Sequence, residues 1–268
     1  MGYSDSQISA YFARIGAGEA GSSLGALNEI HRAHRLAIPF ENLDIPLGAG
    51  IDLGSEQLFN KLVTGRRGGY CFEQNALFLG MLQALGFEAR PLLARIWLRT
   101  APDDPVPPRT HTLNLVQVDG ADYIADAGFG GSYAPPLPLV ADEVAASPDG
   151  ARHRLVRHRQ HGWMLQRDAG AGWERQYSFT TEPAYPADLE VANHFTATRP
   201  DTWFTRHRII SRVLPDGNAS LVDRQLTISH PGSSDSVEVA GPDEYRQILA
   251  ELFGLDLTRE EVSALALF

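Results

Sequence analysis

The stretch RTHTLNLVQVDGADYIADAGFGG, residues 109–131, indicates how the middle of this chain folds. Its segments HTLNLVQV (111–118) and DYIAD (122–126) have the period of two that is typical of β-strands. Asp119 and Gly120, which lie between the segments, are a strong signal for a two-residue turn. The stretch therefore predicts an antiparallel hairpin.

The register of this hairpin brings two polar side chains together. With a two-residue turn, Val118 faces Ala121 and Leu113 faces Asp126. His111 lies two residues from Leu113, so it projects on the same face as Asp126, at a diagonal Cα distance of about 7–8 Å. Singly, His111 also fits a partly buried strand residue and Asp126 a turn cap. Together they predict a base and the group that orients it.

A base of this kind serves a nucleophile, and Cys71 in RRGGYCFEQN (66–75) is the only cysteine of the chain. A helix is predicted from about Cys71 to Gly86, which places the sulfur at the positive end of a helix dipole. That position beside an imidazolium lowers a thiol pKa from about 8.5 to between roughly 3.5 and 7.5. Gly68 and Gly69 permit a sharp turn that brings N–H donors for an oxyanion close to the sulfur. The residues alone leave two interpretations open, a nucleophile and an inert core cysteine.

A glycine-rich loop follows Asp126. Gly128, Gly130 and Gly131 permit close backbone approach, and their N–H groups can form an anion-binding nest. Such turns are common at strand ends, so the loop alone indicates little about function.

Periodicity divides the chain into three regions, and the predicted fold class is α+β. Residues 1–86 carry four helical stripes, the third with Ser55 as its predicted cap, and form an N-terminal helical bundle. Residues 87–186 change to a period of two and form a central antiparallel β-barrel. Residues 187–268 form a C-terminal α/β lid.

The lid region yields more detailed predictions. WFTRHRIISRVL (203–214) and SLVDRQLTIS (220–229) are predicted as strands joined by the turn PDGNA (215–219). Pro242 is predicted to open a helix, and Thr258 with Glu261 to form the capping box of the last helix, because these residue types favour helix starts.

Composition excludes several classes of protein. The 268 residues have a formal net charge of −10, so nucleic acid is not an expected partner. One cysteine permits neither an internal disulfide nor a cysteine-rich zinc site, and no metal site is predicted. We find no signal peptide and no apolar run long enough to span a membrane, so a cytoplasmic location away from membranes is expected.

Five motifs in a fixed order make the chain resemble the arylamine N-acetyltransferases, over its whole length. The motifs are IPFENLDI (38–45), RRGGYCFEQN (66–75), RTHTLNLV (109–116), DAGFGG (126–131) and FTTEP (179–183). Ala127 departs from the valine that is usual in the family, which is a small apolar change.

The resemblance implies a cysteine-protease-like core with a Cys-His-Asp triad of Cys71, His111 and Asp126. It implies no permanently bound cofactor. Acetyl-CoA would acetylate Cys71 as a thioester, and an arylamine, arylhydrazine or N-hydroxyarylamine would then take the acetyl group in a ping-pong mechanism.

The resemblance also implies binding residues. Thr110 and the Cys71 N–H are its oxyanion candidates. Gly128, Phe129, Gly130 and Gly131 would contact the pantetheine and pyrophosphate of CoA, and His230 its nucleotide. Phe40, Phe129 and Phe204 would form the walls of the acceptor pocket, where aromatic rings stack.

Polar residues outside these roles have simpler interpretations. RHRLVRHRQH (152–161) alternates as an exposed strand does, which we prefer to a metal or phosphate site. Arg66 and Arg67 either steer anionic CoA or, as we prefer, pair with acids such as Glu41 and hold the Cys71 turn. The sequence assigns no role to Glu73, and Asn75 is a candidate hydrogen-bonding support for the triad.

Three alternatives remain at this point. One is another Cys-His-Asp enzyme, such as a papain-like peptidase or a transglutaminase, against which the glycine loop and PFENLD (39–44) argue. The second is a binding module that retains the fold. The third is a relative that forms amides from other acyl-thioesters. The acceptor, the acyl-chain length and the oligomeric state stay open.

Overall fold

Helices fill most of the first third of the chain. The computed structural model describes residues 2–18, 21–101, 103–131 and 133–268. Serine side chains accept backbone N–H groups at the starts of the first two helices. The elements are α1 (Asp5–Ile15), α2 (Leu24–Ala37), the short strand β1 (Phe40–Glu41), α3 (Ser55–Phe59), which continues as a π-helical turn over Asn60–Thr64, and α4 (Cys71–Ala84).

The predicted helical stripes form the core of this third, with one correction at α3. Tyr11, Leu27 and Phe78 belong to an apolar cluster that includes Val116 from the barrel. Ser55 is the first residue of α3 and not its cap, because the chain enters the helix from an extended Gly54 and no side chain caps this end.

The middle third is an eight-stranded antiparallel sheet. Its strands are β2 (Glu88–Ile96), β3 (Arg109–Val118), β4 (Ala121–Ala125), β5 (Leu137–Pro138), β6 (Val144–Ala146), β7 (Arg152–His158), β8 (Gly162–Asp168) and β9 (Glu174–Phe179). In space they run in the order β5-β4-β3-β2-β9-β8-β7-β6.

The predicted hairpin is formed by β3 and β4 and is confirmed. Val118 pairs with Ala121, and the pairing continues to Asn114 opposite Ala125. Asp119 and Gly120 have φ values of 51° and 79°, as a two-residue turn that matches the twist of its strands requires.

The sheet is nearly closed into a barrel by the segment between β5 and β6, which lie at its two edges. The N–H of Leu139 donates to the carbonyl of Asp122 at one edge, and that of Asp142 to the carbonyl of Leu155 at the other, each at 2.8 Å. Apolar side chains from seven of the eight strands, all but the short β6, form one buried cluster. Closure of this kind protects edges that a flat sheet would expose.

The last third forms a second antiparallel sheet covered by helices. Its elements are α5 (Pro186–Thr198), α6 (Trp203–Arg206), β10 (Ile209–Leu214), β11 (Gly217–Val222), β12 (Gln225–His230), β13 (Ser233–Glu238), α7 (Pro242–Ile248), which continues as a π-helical turn over Leu249–Phe253, and α8 (Arg259–Ala264). The helix at Pro242 and the Thr258–Glu261 capping box are confirmed. Across the described residues, no helix is long and apolar enough to cross a membrane.

Two strand predictions and one turn prediction in this third need correction. The segment 203–214 begins as α6, because Thr202 caps a helical turn there by accepting the Thr205 N–H. The segment 220–229 is split between β11 and β12 by a tight turn at Asp223, which has a φ of 51°. The turn 215–219 is only two residues long, since Leu214 already pairs with Gly217.

Strand β1 joins the first third to the last. Phe40 pairs with Ser211 of β10, which makes β1 the edge of a five-stranded sheet in the order β1-β10-β11-β12-β13. Phe40 also forms a bridge with Gly69, two residues before Cys71. The turn that carries the cysteine is therefore attached to the C-terminal sheet through β1.

Candidate active site

Cys71 is the first residue of α4 and is buried, with 3 % of its surface exposed. Its Sγ lies 3.9 Å from the carbonyl oxygen of Thr110. Thr110 lies where the pairing of β2 with β3 shifts register, next to His111. The start of the helix is thus placed against the start of β3, which carries the predicted base.

The two glycines before Cys71 permit close packing of this turn. A Cβ on Gly68 would lie 2.3 Å from the carbonyl oxygen of Pro39, and one on Gly69 would lie 2.9 Å from Cβ of Glu73. The N–H of Gly69 donates to the Pro39 carbonyl at 3.3 Å. The prediction that this N–H serves an oxyanion is therefore wrong, because strand-like pairing with β1 already uses it.

Burial governs the acidity of the thiol. It raises the pKa of Cys71 well above the ordinary value, and the nearby carboxylate of Asp126 acts in the same direction. Backbone hydrogen bonds from Phe72 and Thr112 oppose this shift without cancelling it. The direction of this shift is opposite to the predicted lowering, because desolvation outweighs these hydrogen bonds.

His111 and Asp126 form a buried hydrogen-bonded pair. Nε2 of His111 lies 2.6 Å from Oδ2 of Asp126, which leaves Nδ1 of the ring free to exchange a proton with another group. The imidazole packs against Phe129 and Tyr177, with ring centroids 5.3 and 5.1 Å away. Although burial raises the pKa of Asp126, His111 and Asn75 hold it below its usual range.

Asn75 connects the helix of Cys71 to this pair. Its Nδ2 donates to Oδ1 of Asp126 at 2.9 Å and to the carbonyl of Thr112 at 2.7 Å. Its Oδ1 accepts the N–H of Ala127 at 2.9 Å. These contacts give Asn75 the supporting position that the sequence suggested for it.

Arg35 is a residue of the site that the sequence interpretation missed. Its guanidinium is buried and donates to the carbonyl oxygens of Ala127, Phe129 and Gly131, at 3.2, 2.5 and 3.3 Å. It therefore holds the loop after Asp126 in one conformation. The available signal was its position eight residues after Leu27, on the face of α2 that the core buries.

The glycine loop is packed against the site, and two of its N–H groups already have partners there. The N–H of Gly128 donates to Oδ1 of Asp126 at 3.0 Å, and that of Gly131 donates to Oγ of Ser211 at 3.2 Å. A Cβ on Gly128 would lie 2.8 Å from Cα of Cys71. Close approach to the cysteine, and not to a ligand, explains this glycine.

The three predicted acceptor-pocket phenylalanines lie around the site. The rings of Phe40 and Phe204 are 6.1 Å apart, and Phe129 packs on His111. Phe40 and Phe204 share one apolar cluster with Cys71. The region around the thiol is therefore aromatic on several sides.

A cleft of about 420 Å³ lies beside this cluster, between the barrel and α5. Leu93 and Ala192 belong both to its lining and to the apolar cluster around Cys71. Arg109 and Glu182, which form an ion pair at 3.6 Å, lie in its wall. The sequence interpretation did not identify this cleft, because its lining comes from distant segments.

His230 lies apart from these residues. It ends β12, and its Nδ1 lies 3.4 Å from Oδ1 of Asp216. In the sheet, β12 is separated by β11 from β10, whose Ser211 contacts the glycine loop. The contacts of His230 therefore give no support to its predicted place beside CoA.

The charged residues before Cys71 form an ion-pair cluster. Arg67 pairs with Glu41 at 2.8 Å and with Asp44 at 2.9 Å, as preferred from the sequence. Arg66 has no ion pair within the described ranges; its carbonyl accepts a hydrogen bond from Arg14 at 3.4 Å. In the segment 152–161 a strand forms over Arg152–His158, but its exposure was predicted wrongly, because His153 and Leu155 are buried.

Comparison with known proteins identifies the family. A profile described as N-acetyltransferase matches residues 23–262. The arylamine N-acetyltransferase of Mycolicibacterium smegmatis is 38 % identical over 93 % of this chain and 92 % of its own length. The Salmonella typhimurium relative, named arylamine N-acetyltransferase / N-hydroxyarylamine O-acetyltransferase, is 38 % identical over 92 % of this chain and 88 % of its own length.

Solved structures agree with these sequence matches. The arylamine N-acetyltransferase from Salmonella typhimurium superposes with a TM-score of 0.92 at 36 % identity, over 99 % of this chain and all of the other. The Mycobacterium marinum enzyme in complex with CoA superposes with a TM-score of 0.91 at 32 % identity, over 96 % and 97 % of the two chains. From its sequence, its fold and the arrangement around Cys71, this chain belongs to the arylamine N-acetyltransferase family.

Proposed function

We propose that this protein transfers the acetyl group of acetyl-CoA to an aromatic amine, hydrazine or hydroxylamine through an acetyl thioester on Cys71. The observation that carries the proposal is the buried pair in which Nε2 of His111 lies 2.6 Å from Oδ2 of Asp126. His111 directly follows Thr110, whose carbonyl oxygen is in contact with the sulfur of Cys71. Relatives that act on arylamines and N-hydroxyarylamines by name, and one that binds CoA, support the same chemistry.

In the first step, His111 takes the proton of the Cys71 thiol as the sulfur attacks the acetyl carbonyl of acetyl-CoA. Because burial disfavours an isolated thiolate, the anion would form together with the imidazolium beside it. Asp126 stabilises that imidazolium and fixes the ring so that Nδ1 faces the reaction. The tetrahedral intermediate then collapses, the C–S bond to CoA breaks, and the proton from His111 goes to the CoA thiolate.

The second step repeats this chemistry with the acceptor. The amine nitrogen attacks the thioester carbonyl of acetyl-Cys71 and gives a proton to His111. The bond to Sγ breaks, the sulfur recovers the proton, and an N-acetyl product leaves. The Cys71 N–H and Thr110 are our candidates for stabilising the oxyanion in both steps. The carbonyl of Thr110 accepts hydrogen bonds, so only its N–H or hydroxyl could act in that way.

The surroundings of the thiol suit an aromatic acceptor. Phe40, Phe129 and Phe204 offer ring faces to an arylamine, and the last of these comes from the region after residue 187, which would cover the site as a lid. The loop over Phe129–Gly131 is our candidate for the CoA contact, since Gly128 is packed against Cys71.

Intact-protein mass after mixing with acetyl-CoA, without an acceptor, tests the proposal. We expect one added acetyl group, its loss on addition of an arylamine, and no adduct on the Cys71→Ala variant. Asp126→Asn keeps the shape of the site but sets the wrong tautomer of His111, so it should slow acetylation by about 10³-fold or more. No adduct on the folded, reduced wild-type protein would overturn the proposed donor.

A further inference from the structure

The carboxylate of Glu73 holds the backbone at the start of α4. Glu73 is buried, and its Oε2 accepts the N–H of Tyr70 at 3.0 Å. Its Oε1 accepts Nζ of Lys61 at 2.7 Å. The N–H groups at a helix start have no partner within the helix, so this carboxylate satisfies the one next to Cys71.

Gly69 leaves the space that Glu73 needs to reach the N–H of Tyr70. A Cβ on Gly69 would lie 2.9 Å from Cβ of Glu73 and 3.1 Å from its Oε2. Any larger residue at position 69 would push the carboxylate from the Tyr70 N–H. Gly69, Tyr70, Cys71 and Glu73 are therefore one packed unit.

Lys61 links this unit to a larger cluster with an excess of acid. Lys61 lies between Glu73 and Asp44, at 2.7 and 2.6 Å, and Arg67 lies between Asp44 and Glu41. The cluster thus has three carboxylates and two cations. Burial raises the pKa of Glu73 to about 7, and repulsion from Glu41 adds to this, although Lys61 and the Tyr70 N–H act against it.

We infer that Glu73 is a positioning residue, which holds Cys71 in reach of His111 only while its carboxylate is ionised, the state that Lys61 stabilises. The groups that face Glu73 are Lys61 from the turn after α3, Glu41 from β1, and, beside its own helix start, the N–H and phenol of Tyr70 and the thiol of Cys71. Protonation of Glu73 removes the charge from the bond to Tyr70 and loosens the first turn of α4.

Two explanations of Glu73 make opposite predictions for its isosteric variant. The negative charge of Glu73 raises the pKa of Cys71, so a role through charge alone means that Glu73→Gln should make the thiol more reactive. A positioning role means that the variant should be less reactive, because the buried Lys61 then keeps only Asp44 as a charged partner and the turn shifts. Displacements of about 1 Å cost up to roughly 100-fold in reactions of this kind.

The experiment is the rate of alkylation of Cys71 by iodoacetamide from pH 5.5 to 9.5, with kcat and KM for acetyl transfer measured in parallel. We expect Glu73→Gln to slow alkylation about 10- to 100-fold above pH 8 and to approach the wild-type rate at pH 5.5. At pH 8 it should lower kcat while leaving KM for acetyl-CoA unchanged. We expect Lys61→Met to shift the acid limb of the alkylation profile upward by about 1 to 3 pH units, with recovery at high pH.

The matched control is Asp149→Asn, which removes another ion-paired carboxylate, at 3.2 Å from Arg167 in the barrel, and should leave the profile unchanged. Faster alkylation in Glu73→Gln, or an unchanged acid limb in a folded Lys61→Met, would overturn the inference. Should Lys61→Met fail to fold, the alkylation rate of the isosteric Glu73→Gln variant alone tests the inference.

The inference rests on the proposed role of Cys71, but alkylation needs no acetyl-CoA. If the variants change alkylation as expected but the wild-type protein forms no acetyl adduct, only the proposed function is refuted. If the wild-type protein forms the acetyl adduct but the variants alkylate like the wild type, only the role of Glu73 is refuted.

Discussion

Asn75 donates a hydrogen bond of 2.9 Å to Asp126, so the helix that begins with Cys71 also orients the carboxylate that holds His111. The nucleophile and the orienting acid come from segments 55 residues apart, and one amide group fixes their relation.

Asn75→Ala should lower kcat with little change in KM for acetyl-CoA. Asp126 loses a donor in a buried site, and a hydrogen bond to a charged group contributes about 1.5–3 kcal/mol, which corresponds to roughly 10- to 100-fold in rate. Steady-state kinetics measures this. Gln83→Ala, an exposed position on the same helix, is the control, and equal kinetics for the two variants would contradict the role of Asn75.

Gly128→Ala and Gly130→Ala should differ sharply. A Cβ at position 128 meets the Cys71 backbone at 2.7–2.8 Å, whereas one at 130 meets the Phe40 ring at an ordinary 3.5 Å. We expect the first variant to lose about 1–3 kcal/mol of stability and most of its activity, and the second to fold like the wild type. Urea unfolding of both proteins checks this, and equal stabilities would argue against the close packing described above.

Arg35→Met should loosen the loop that follows Asp126. Three carbonyl oxygens lose a buried cationic donor, and we expect a loss of about 3 kcal/mol in the free energy of unfolding. Hydrogen exchange at residues 127–131 should rise as well. Arg32→Met, at an exposed position of the same helix, is the control; a comparable loss there would mean that charge and not the loop contact matters.

Acid should destabilise the protein through its buried histidines. Burial lowers the pKa of His34 to about 3, and the pKa values of His31 and His153 to about 4. The unfolded chain therefore binds more protons below pH 6.5, and stability falls as pH drops from there toward 4, by up to about 1.4 kcal/mol per pH unit for each histidine.

Urea unfolding at several pH values measures this slope. In the His34→Gln variant, the number of protons taken up on unfolding, which this slope measures, should fall by about one. His194→Gln, at an exposed position, should leave the slope unchanged. A pH-independent unfolding free energy between pH 6.5 and 4.5 would refute the prediction.

Local sequence signals were sufficient where a short segment determines its own geometry. Asp119-Gly120 set a turn length, and that length set a register. The register placed His111 on the same face as Asp126, all within 16 residues. Each step depends on backbone conformation that neighbouring residues decide.

The sequence did not predict features of the site that depend on contacts between distant segments. The N–H of Gly69 could not be assigned without knowing that β1 pairs with it, and the pKa of Cys71 depends on burial by several elements. Strand β13 escaped prediction because all six of its residues are exposed, so its side chains show no alternation. The role of Arg35 could not be predicted without the path of the loop that it contacts, which begins 92 residues later in the chain.

The pairing of β1 also bears on how the chain reaches its native state. Residues 40 and 211 are neighbours, so the second sheet is complete only after a very long loop has closed. Contacts of such sequence separation slow folding, and they cannot form while the ribosome still holds the last third of the chain. The turn that bears Cys71 should therefore become attached to the second sheet only after β10 has been synthesised.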